Sequence, residues 1–333
     1  MTGQTSRTED RQMSTATQGR IDEGEFTALA ERHRRELHVH CYRMLGSFEE
    51  SEDMVQETFL RAWRKRASFQ GRSTFRAWLY RIATNACLDA LGRRPREAPR
   101  PGAFEVTWLQ PYPDRLLDEL ASSEAEPDAA VVEKETVELA FLVALQRLAP
   151  RPRAVLILRD VLGWSAKETA ALLEVSVASA NSALQRARAA LKDHLPERRL
   201  EWAAGAEPSA QERALLDRYV EASERGDAEA LAGLMREDLR FAMPPEPEQY
   251  VGRDTIVAAW VEGGFGSDAF GAMRCMTTRA NRQPAVACWL RRPGDSAYRA
   301  LALDVLRIED GAVAEITTFP ASLFPAFDLP PTR

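Results

Sequence analysis

Near the middle of the chain, a short run of residues combines an apolar stripe with side chains that can read DNA bases. Four apolar residues recur at spacings of four, three and four, as on one face of a helix: Ala180, Leu184, Ala187 and Leu191. The opposite side carries small and hydrogen-bonding residues: Ser182, Gln185 and Arg186, flanked by Ser179, Asn181 and Arg188. Amides and guanidinium groups on such a face can recognise base edges in the major groove.

The residues just before this helix predict a second helix and a tight turn. Ser165 is followed three residues later by Glu168, the pattern of a capping box at a helix start. We expect this helix to bury Ala170, Leu172 and Leu173 and to end at Glu174–Val175, where Ser176 caps the next helix. The pattern predicts a helix-turn-helix. An ordinary helical hairpin with a polar outer face shares it, although the small-residue face and the tight turn favour DNA binding.

The distribution of charge adds a second indication of a polyanionic partner. The net charge is -6, which argues against a uniformly basic protein. Residues 61–100, however, are strongly basic and include only two acids, Asp89 and Glu97. The following stretch, 105–135, is mostly acidic. These blocks suggest a nucleic-acid surface followed by an acidic linker, and solvated helix faces would give the same pattern.

Length and composition favour several globular domains. The 333 residues, 45% hydrophobic and 28% charged, suffice for two or three domains. No apolar run approaches the roughly 20 residues that span a bilayer, so we expect no membrane partner. The polar N-terminus lacks a secretory signal. The four cysteines form no CxxC pair and predict reduced thiols in a cytoplasmic protein: Cys41, Cys87, Cys275 and Cys288.

Periodicity and helix breakers divide the chain into segments. The expected layout is a disordered N-terminus (1–24), a helical domain (25–95), an acidic Pro-rich linker (96–128), a second helical domain (129–197) and an α+β domain (205–330). The last domain opens with helices expected at Ala210–Arg225 and Asp227–Met235. Alternating apolar runs then predict strands at Leu239–Met243, Ala285–Arg291, Tyr298–Ile308 and Ala312–Phe319.

The helix-turn-helix and the residues before it resemble a known DNA-binding domain. The run from Leu145 to Ser165, LQRLAPRPRAVLILRDVLGWS, followed by AKETAALL, resembles the promoter −35-binding domain of sigma factors. The resemblance implies docking on the flap of core RNA polymerase and a second helix inserted at the −35 element. It assigns the −35 contacts to Ser179, Asn181, Ser182, Gln185 and Arg186.

Two upstream motifs are similar to the extracytoplasmic-function (group IV) members of the sigma-70 family. The stretch from Cys41 to Trp63, CYRMLGSFEESEDMVQETFLRAW, resembles their polymerase-binding helix, with Leu45, Val55, Phe59 and Ala62 toward a core. The resemblance assigns contacts with the polymerase clamp to Asp53, Gln56, Glu57 and Arg61. The stretch from Phe69 to Leu91, FQGRSTFRAWLYRIATNACLDAL, resembles their −10-binding helix. It assigns −10 DNA contacts to Arg72, Ser73, Arg76, Tyr80, Arg81 and Asn85, with Tyr80 and Thr84 expected to point away from the core.

The C-terminal domain resembles a third family. Its helix pair and its strands, ending in DVLRIEDGAVAEITTF, are similar to the cone-shaped α+β fold of SnoaL-type cyclases and nuclear transport factor 2. Among sigma factors with such a tail, the chain is most similar to the actinobacterial sigma G type. The resemblance implies that the tail regulates the sigma domains in cis. The linker segment WLQPYPD, Trp108–Asp114, is interpreted either as a docking patch for the tail or as a stiff spacer.

The residue types in the tail do not favour catalysis. All four histidines precede it, and no Gly-rich phosphate loop or metal-ligand spacing is present, so we expect no enzyme activity, cofactor or metal site. A small apolar ligand could occupy a cavity lined by Trp260, Phe265, Trp289 and Phe319, or these aromatics could simply be core.

The expected fold is therefore multidomain, with two all-α sigma domains followed by an α+β NTF2/SnoaL-like domain. The function that the resemblance implies is binding of core RNA polymerase and of the promoter −10 and −35 elements to start transcription. One alternative is a one-component helix-turn-helix regulator with a ligand-sensing tail. A second is a polyketide-cyclase-like enzyme fused to DNA-binding domains.

Overall fold

The computed structural model describes residues 23–69, 74–94, 106–122, 138–194 and 209–333. Most of the predicted disordered N-terminus lies outside these residues, as do Arg72 and Ser73 of the predicted −10 contacts. Within the described ranges, none of the helices combines the length and apolarity needed to cross a membrane.

The first helical domain is built from three mutually packed helices: α1 (Glu23–Leu45), α2 (Phe48–Lys65) and α3 (Phe75–Arg93). Side-chain caps fix two of the helix starts. The Ser47 hydroxyl accepts a hydrogen bond from the backbone N–H of Glu50, and Thr74 caps α3 in the same way. Leu45, Val55 and Ala62 are buried as predicted, whereas Phe59 is half-buried.

The linker is more structured than its composition indicated. It contains a short helix, α4 (Asp114–Ser122), and it buries four apolar side chains: Val106, Leu109, Tyr112 and Leu117. Burial of these residues anchors the described part of the linker to the rest of the protein.

The second helical domain contains α5 (Leu139–Arg147), α6 (Pro150–Leu156), a π-helical turn (Ile157–Val161), α7 (Ala166–Leu173) and α8 (Val177–His194). The predicted capping box is present, since Ser165 and Glu168 exchange side-chain and backbone hydrogen bonds. Glu174 ends α7 in the left-handed conformation, at φ 55°, which gives the tight turn before α8.

The C-terminal domain pairs three helices with a six-stranded sheet. The helices are α9 (Ala210–Arg225), α10 (Ala228–Ala232) and α11 (Arg253–Glu262). The strands are β1 (Met235–Ala242), β2 (Gln249–Val251), β3 (Ala272–Ala280), β4 (Gln283–Arg291), β5 (Arg299–Glu309) and β6 (Ala312–Pro320). Their order is β2-β1-β6-β5-β4-β3, and only β1 and β6 pair in parallel. Strands β2 and β3 and helix α11 were not predicted.

The two faces of this sheet belong to different cores. One face packs under α9 and α11 and contributes Leu306 and Ile316 to the interior of the cone. The other face contributes Trp289 and Phe319 to a core that is continuous with the linker and both helical domains. The 3₁₀ helix Ala321–Phe327 lies on this second face. The sheet therefore separates the cone interior from the contacts between domains.

Candidate nucleic-acid interface and its inter-domain contacts

The outer face of α8 is open. All five side chains predicted to contact the −35 element are exposed: Ser179, Asn181, Ser182, Gln185 and Arg186. The stripe of Ala180, Leu184 and Ala187 is buried on the opposite side. Arg188 differs from its neighbours, because its guanidinium donates to both carboxylate oxygens of Asp160 at 2.7 and 2.8 Å. That ion pair leaves Arg186 as the better placed arginine for DNA.

The outer face of α2 combines charged groups with one exposed apolar side chain. Asp53 and Gln56 are exposed. Arg61 is held by Glu57 at 2.7 Å and by Asp89 of α3 at 2.8 Å. Leu60 lies on the same helix with 51% of its surface exposed, a residue that the sequence reasoning did not single out. A single exposed leucine is common on protein surfaces, so Leu60 adds apolar surface to this face but does not by itself indicate an interface.

The predicted −10 surface is less accessible than expected. Tyr80 and Thr84 were predicted to face outward, but both are buried. The Tyr80 hydroxyl donates to Glu36 of α1 at 3.1 Å, and Arg76 donates to the same carboxylate at 2.7 Å. Asn85 is half-buried. The expectation about Tyr80 and Thr84 fails because α1 packs on this side of α3, and periodicity within α3 cannot reveal that neighbour.

The second helical domain covers part of the same face. The Tyr80 and Trp164 rings lie 5.6 Å apart, and Arg81 forms an ion pair with Glu174 of the helix-turn-helix. The buried Arg153 donates to the backbone carbonyl of Met44, at the end of α1. Burial, with the nearby positive charge of Arg94, lowers the pKa of Arg153 to about 9. In this arrangement the two helical domains pack directly against each other.

The linker is fastened between the first domain and the tail by a cluster of three buried residues, Tyr42, Tyr112 and Asn281. The Tyr112 backbone N–H donates to the Asn281 side chain at 2.8 Å, and the Asn281 N–H donates to the Tyr112 carbonyl at 2.9 Å. The Asn281 amide then donates to the Tyr42 hydroxyl at 2.8 Å. This linker cluster joins α1, the linker and the β3–β4 turn through hydrogen bonds shielded from water.

A second linker residue caps the helix whose outer face was assigned to polymerase. The Gln110 side-chain oxygen accepts hydrogen bonds from the Ser47 hydroxyl at 2.8 Å and from the Glu49 backbone N–H at 3.0 Å. The Gln110 N–H donates to the Gly46 carbonyl at 2.9 Å. The linker therefore satisfies groups at the start of α2 that would otherwise need water.

Ion pairs extend the contact between linker and tail. Arg279 donates to Asp114 at 3.0 Å, and the backbone N–H of Arg282 donates to the other Asp114 oxygen at 2.8 Å. Burial raises the pKa of Asp114, although both arginines oppose that effect. Arg115 reaches the C-terminal segment, 2.8 Å from Asp328. WLQPYPD is thus a docking segment in this structure, which answers the choice that the sequence left open.

The docking turn on the tail was missed by the sequence reasoning. Asn281 and Arg282 join β3 to β4, both with positive φ, at 56° and 61°. Asparagine tolerates this conformation and marks hairpin turns, but the usual second residue is glycine. Because Arg282 stands where glycine is usual, the sequence does not indicate this turn. Arg282 forms ion pairs with Asp114 and Asp118 while its backbone has a strained, positive φ.

The stability of the protein with its linker docked depends on pH through His38. It lies beside Tyr112, 3.0 Å from the hydroxyl, and burial, with the positive charge of Arg34, lowers its pKa to about 4. Its unfolded pKa is about 6.5, so unfolding takes up a proton between these two values. Stability is then fully present above about pH 6.5 and is lost as pH falls toward 4, by up to about 1.4 kcal/mol per pH unit.

We therefore expect His38 to contribute about 1 kcal/mol to the loss of unfolding free energy between about pH 7.5 and 5.5. The measurement is denaturant unfolding of the protein and of His38→Gln at both pH values. The His38→Gln variant should lose less stability on acidification. Equal losses in the two proteins would show that the pKa of His38 is the same in the folded and unfolded protein, and would contradict the prediction.

The cone interior holds a cavity of about 340 Å³. Two of the four aromatic residues predicted to line it, Trp260 and Phe265, do so. Trp289 and Phe319 do not. They lie in the core on the opposite face of the sheet, where the Trp289 ring packs edge-on against Phe324 at 5.1 Å. Successive residues of a strand alternate between faces, so Cys288 and Thr318 line the cavity in their place.

Comparison with protein families identifies three regions. Residues 29–97 match Sigma-70 region 2, residues 138–191 match Sigma-70 region 4, and residues 216–316 match a SnoaL-like domain.

Comparison with individual proteins covers most of the chain. It is 42% identical over 322 residues to the ECF RNA polymerase sigma factor SigG of Mycobacterium tuberculosis, covering 92% of this chain and 84% of that protein. It is 27% identical to SigJ of the same organism, covering 89% and 90%. The crystal structure of SigJ has a similar fold, with a TM-score of 0.58 at 23% identity, covering 91% of this chain and all of the SigJ chain.

Proposed function

The chain belongs to the ECF RNA polymerase sigma factors, and from this membership we propose how its surfaces contribute to promoter-specific transcription initiation. The outer face of α2 binds core RNA polymerase through Asp53, Gln56, Glu57 and Arg61. The exposure of Asp53 and Gln56, and the 51% exposure of Leu60, support this assignment. The second domain also docks on the polymerase flap. We infer that the protein acts in the cytoplasm, because its polymerase and promoter partners are there.

The outer face of α8 reads the −35 element. One observation supports this part of the proposal more strongly than the others. All five assigned side chains are exposed on one helix held by a capped helix-turn-helix. Serine, asparagine and glutamine can hydrogen-bond to bases, and Arg186 has the geometry for a bidentate contact with guanine.

The test is run-off transcription by core polymerase on genomic promoters with the full-length chain. Core enzyme should gain promoter-selective initiation. Arg186→Ala should weaken binding to the −35 duplex by about 1–3 kcal/mol if Arg186 contacts a base. The control is Arg218→Ala, an exposed arginine of α9. No selective initiation by either the full-length chain or a truncation after Leu195 would refute the function, whereas unchanged affinity in Arg186→Ala would remove only that residue.

The −10 contacts are assigned to α3 and the loop before it, through Arg72, Ser73, Arg76, Tyr80, Arg81 and Asn85. Arg72 and Ser73 lie outside the described residues. Because Tyr80 is buried against Glu36 and Trp164, this surface must open before it can bind a melted strand. The match of residues 29–97 to Sigma-70 region 2 supports this assignment. Because Tyr80 is buried here, the assignment applies to a form of the protein in which this surface has opened.

The tail regulates initiation in cis by holding the closed arrangement. Asn281 fixes the linker beside Tyr42, and the second helical domain packs Trp164 against Tyr80 and pairs Glu174 with the exposed Arg81 of α3. Releasing the linker cluster would free the two helical domains to separate and to reach −10 and −35 DNA together. A one-component regulator would need no polymerase, so pull-down with core enzyme distinguishes that alternative.

The cone cavity binds a small, largely apolar molecule and does not catalyse a reaction. Its aromatic walls support binding. Asp304 is the only carboxylate that lines it, and no histidine occurs in residues 209–333, so an acid–base pair of the usual kind has no second member there.

A further inference from the structure

The cone cavity has walls of one electrostatic character. Five aromatic side chains line it: Tyr219, Phe241, Trp260, Phe265 and Phe270. None of the residues that line it is lysine, arginine or histidine. The face of an aromatic ring carries partial negative charge, so the rings that turn their faces to the cavity attract a cation and repel an anion.

Asp304 adds a full negative charge to this wall. One carboxylate oxygen accepts a hydrogen bond from the Thr318 hydroxyl at 2.6 Å, and the other accepts one from the Tyr219 hydroxyl at 3.2 Å. Both partners are neutral. Part of the Asp304 surface remains exposed, and the residue lines the cavity. Burial raises the pKa of the Asp304 carboxyl, while the hydrogen bonds from Thr318 and Tyr219 oppose that effect.

The mouth of the cavity is apolar. Met243 and Leu301 line it and are also among the large hydrophobic residues exposed to solvent. A ligand with an apolar body would cover these side chains while its polar end reached Asp304. Such a ligand would bury the exposed apolar surface of Met243 and Leu301. If its polar end is positively charged, that end would also compensate the desolvated carboxylate of Asp304.

We propose that the cavity binds a hydrophobic amine in its protonated form, with the ammonium group beside Asp304 and the apolar body against Trp260 and Phe265. Asp304 and the hydroxyl of Tyr219 give the ammonium N–H groups their acceptors. The volume of about 340 Å³ suits a body of one or two fused rings. This inference rests on the proposed binding of a small molecule by the cone and specifies its charge.

The test uses two probes of the same shape, naphthylmethylamine and naphthylmethanol, titrated calorimetrically into the full-length protein at about pH 7.5. At this pH the amine is cationic and the alcohol is neutral. We expect the amine to bind at least about tenfold more tightly than the alcohol. Asp304→Asn should abolish this preference by weakening the amine alone, because asparagine keeps the shape but not the charge. Its amide oxygen can accept from one of the two hydroxyls, and its NH2 group can donate to the other. Ala302→Leu, which narrows the cavity, should weaken both probes.

The matched control is Asp254→Asn, which removes an exposed carboxylate from α11 of the same domain and should bind both probes as the unmodified protein does. Equal affinity for amine and alcohol would overturn the preference for a cation while leaving a small-molecule cavity. Retained preference in Asp304→Asn would overturn the role of Asp304. If neither probe binds at millimolar concentration, both the amine and the small-molecule site are refuted.

A second measurement covers the case in which Asp304→Asn does not fold. In the unmodified protein, acidification should protonate Asp304 and weaken the amine, while the affinity of the alcohol stays constant. An amine affinity that does not change as pH falls would overturn the proposal. None of these outcomes depends on the transcription assay, so failure here is distinguishable from failure of the sigma-factor function.

Discussion

Replacing Asp53 by lysine should abolish stable binding of core RNA polymerase while leaving the fold intact. Asp53 is exposed on α2, on the same face as Gln56 and Glu57. A partner surface complementary to an acidic face is basic, and opposing like charges across an interface costs several kcal/mol. In fluorescence-anisotropy titrations with core enzyme, we expect affinity to fall at least about a hundredfold, or about 2.7 kcal/mol. Unfolding free energy should change by only about 0.5 kcal/mol, as for other exposed substitutions.

Two further variants sharpen this result. Asp217→Lys makes the same charge change on an exposed position of α9 and should bind core enzyme normally. Leu60→Ala removes the exposed apolar side chain and should weaken binding if Leu60 is part of the contact. Holoenzyme formation at normal affinity by Asp53→Lys would exclude this face from the polymerase interface.

Replacing Asn281 by alanine should release the linker from the tail and raise initiation. The substitution removes the acceptor of the Tyr112 N–H and leaves that group buried. It also removes one of two hydrogen bonds of the buried Tyr42 hydroxyl, which still donates to the Gln110 carbonyl at 2.7 Å. An unsatisfied buried N–H costs about 1–3 kcal/mol and the second lost hydrogen bond about 1 kcal/mol, so the docked form should lose about 3 kcal/mol. Hydrogen exchange at the Tyr112 amide should accelerate about a hundredfold, since every 1.4 kcal/mol corresponds to a factor of ten.

The matched control is Asp310→Ala. Asp310 also occupies a hairpin turn of the same sheet with positive φ, 52° against 56° for Asn281, but it lies at the β5–β6 turn. Both variants therefore carry the same backbone strain, and only one of them touches the linker. Run-off transcription should increase for Asn281→Ala and not for Asp310→Ala. Faster exchange without increased transcription would mean that the linker cluster only stabilises the fold and does not regulate it.

Local patterns in the sequence were sufficient for elements whose signals lie within the element itself. Helix α9 spans Ala210–Arg225 as predicted, because Ser209 and Gly226 mark its ends. The capping box at Ser165 is also present, since it depends on neighbouring residues. The exposed face of α8 follows from a regular apolar stripe.

Features that depend on distant neighbours could not be obtained in this way. Tyr80 has the position of an outward-facing residue in α3, but α1 and Trp164 cover it. Trp289 and Phe319 are aromatic residues on cavity-forming strands, yet strand alternation places them on the other face. Asn281 contacts residues 169 and 239 positions away, so nothing beside it in the sequence reveals its partners.

The docking of the segment WLQPYPD, Trp108–Asp114, on the β3–β4 turn is a contact between two parts of a single polypeptide. A separate inhibitor must be synthesised in proportion to its target and dissociates when diluted. Here the docking partner is always supplied one-to-one, at an effective concentration set by chain connectivity. Docking is therefore an intramolecular equilibrium, and the ratio of docked to released molecules does not depend on the expression level. Overproduction of the protein leaves the docked fraction unchanged.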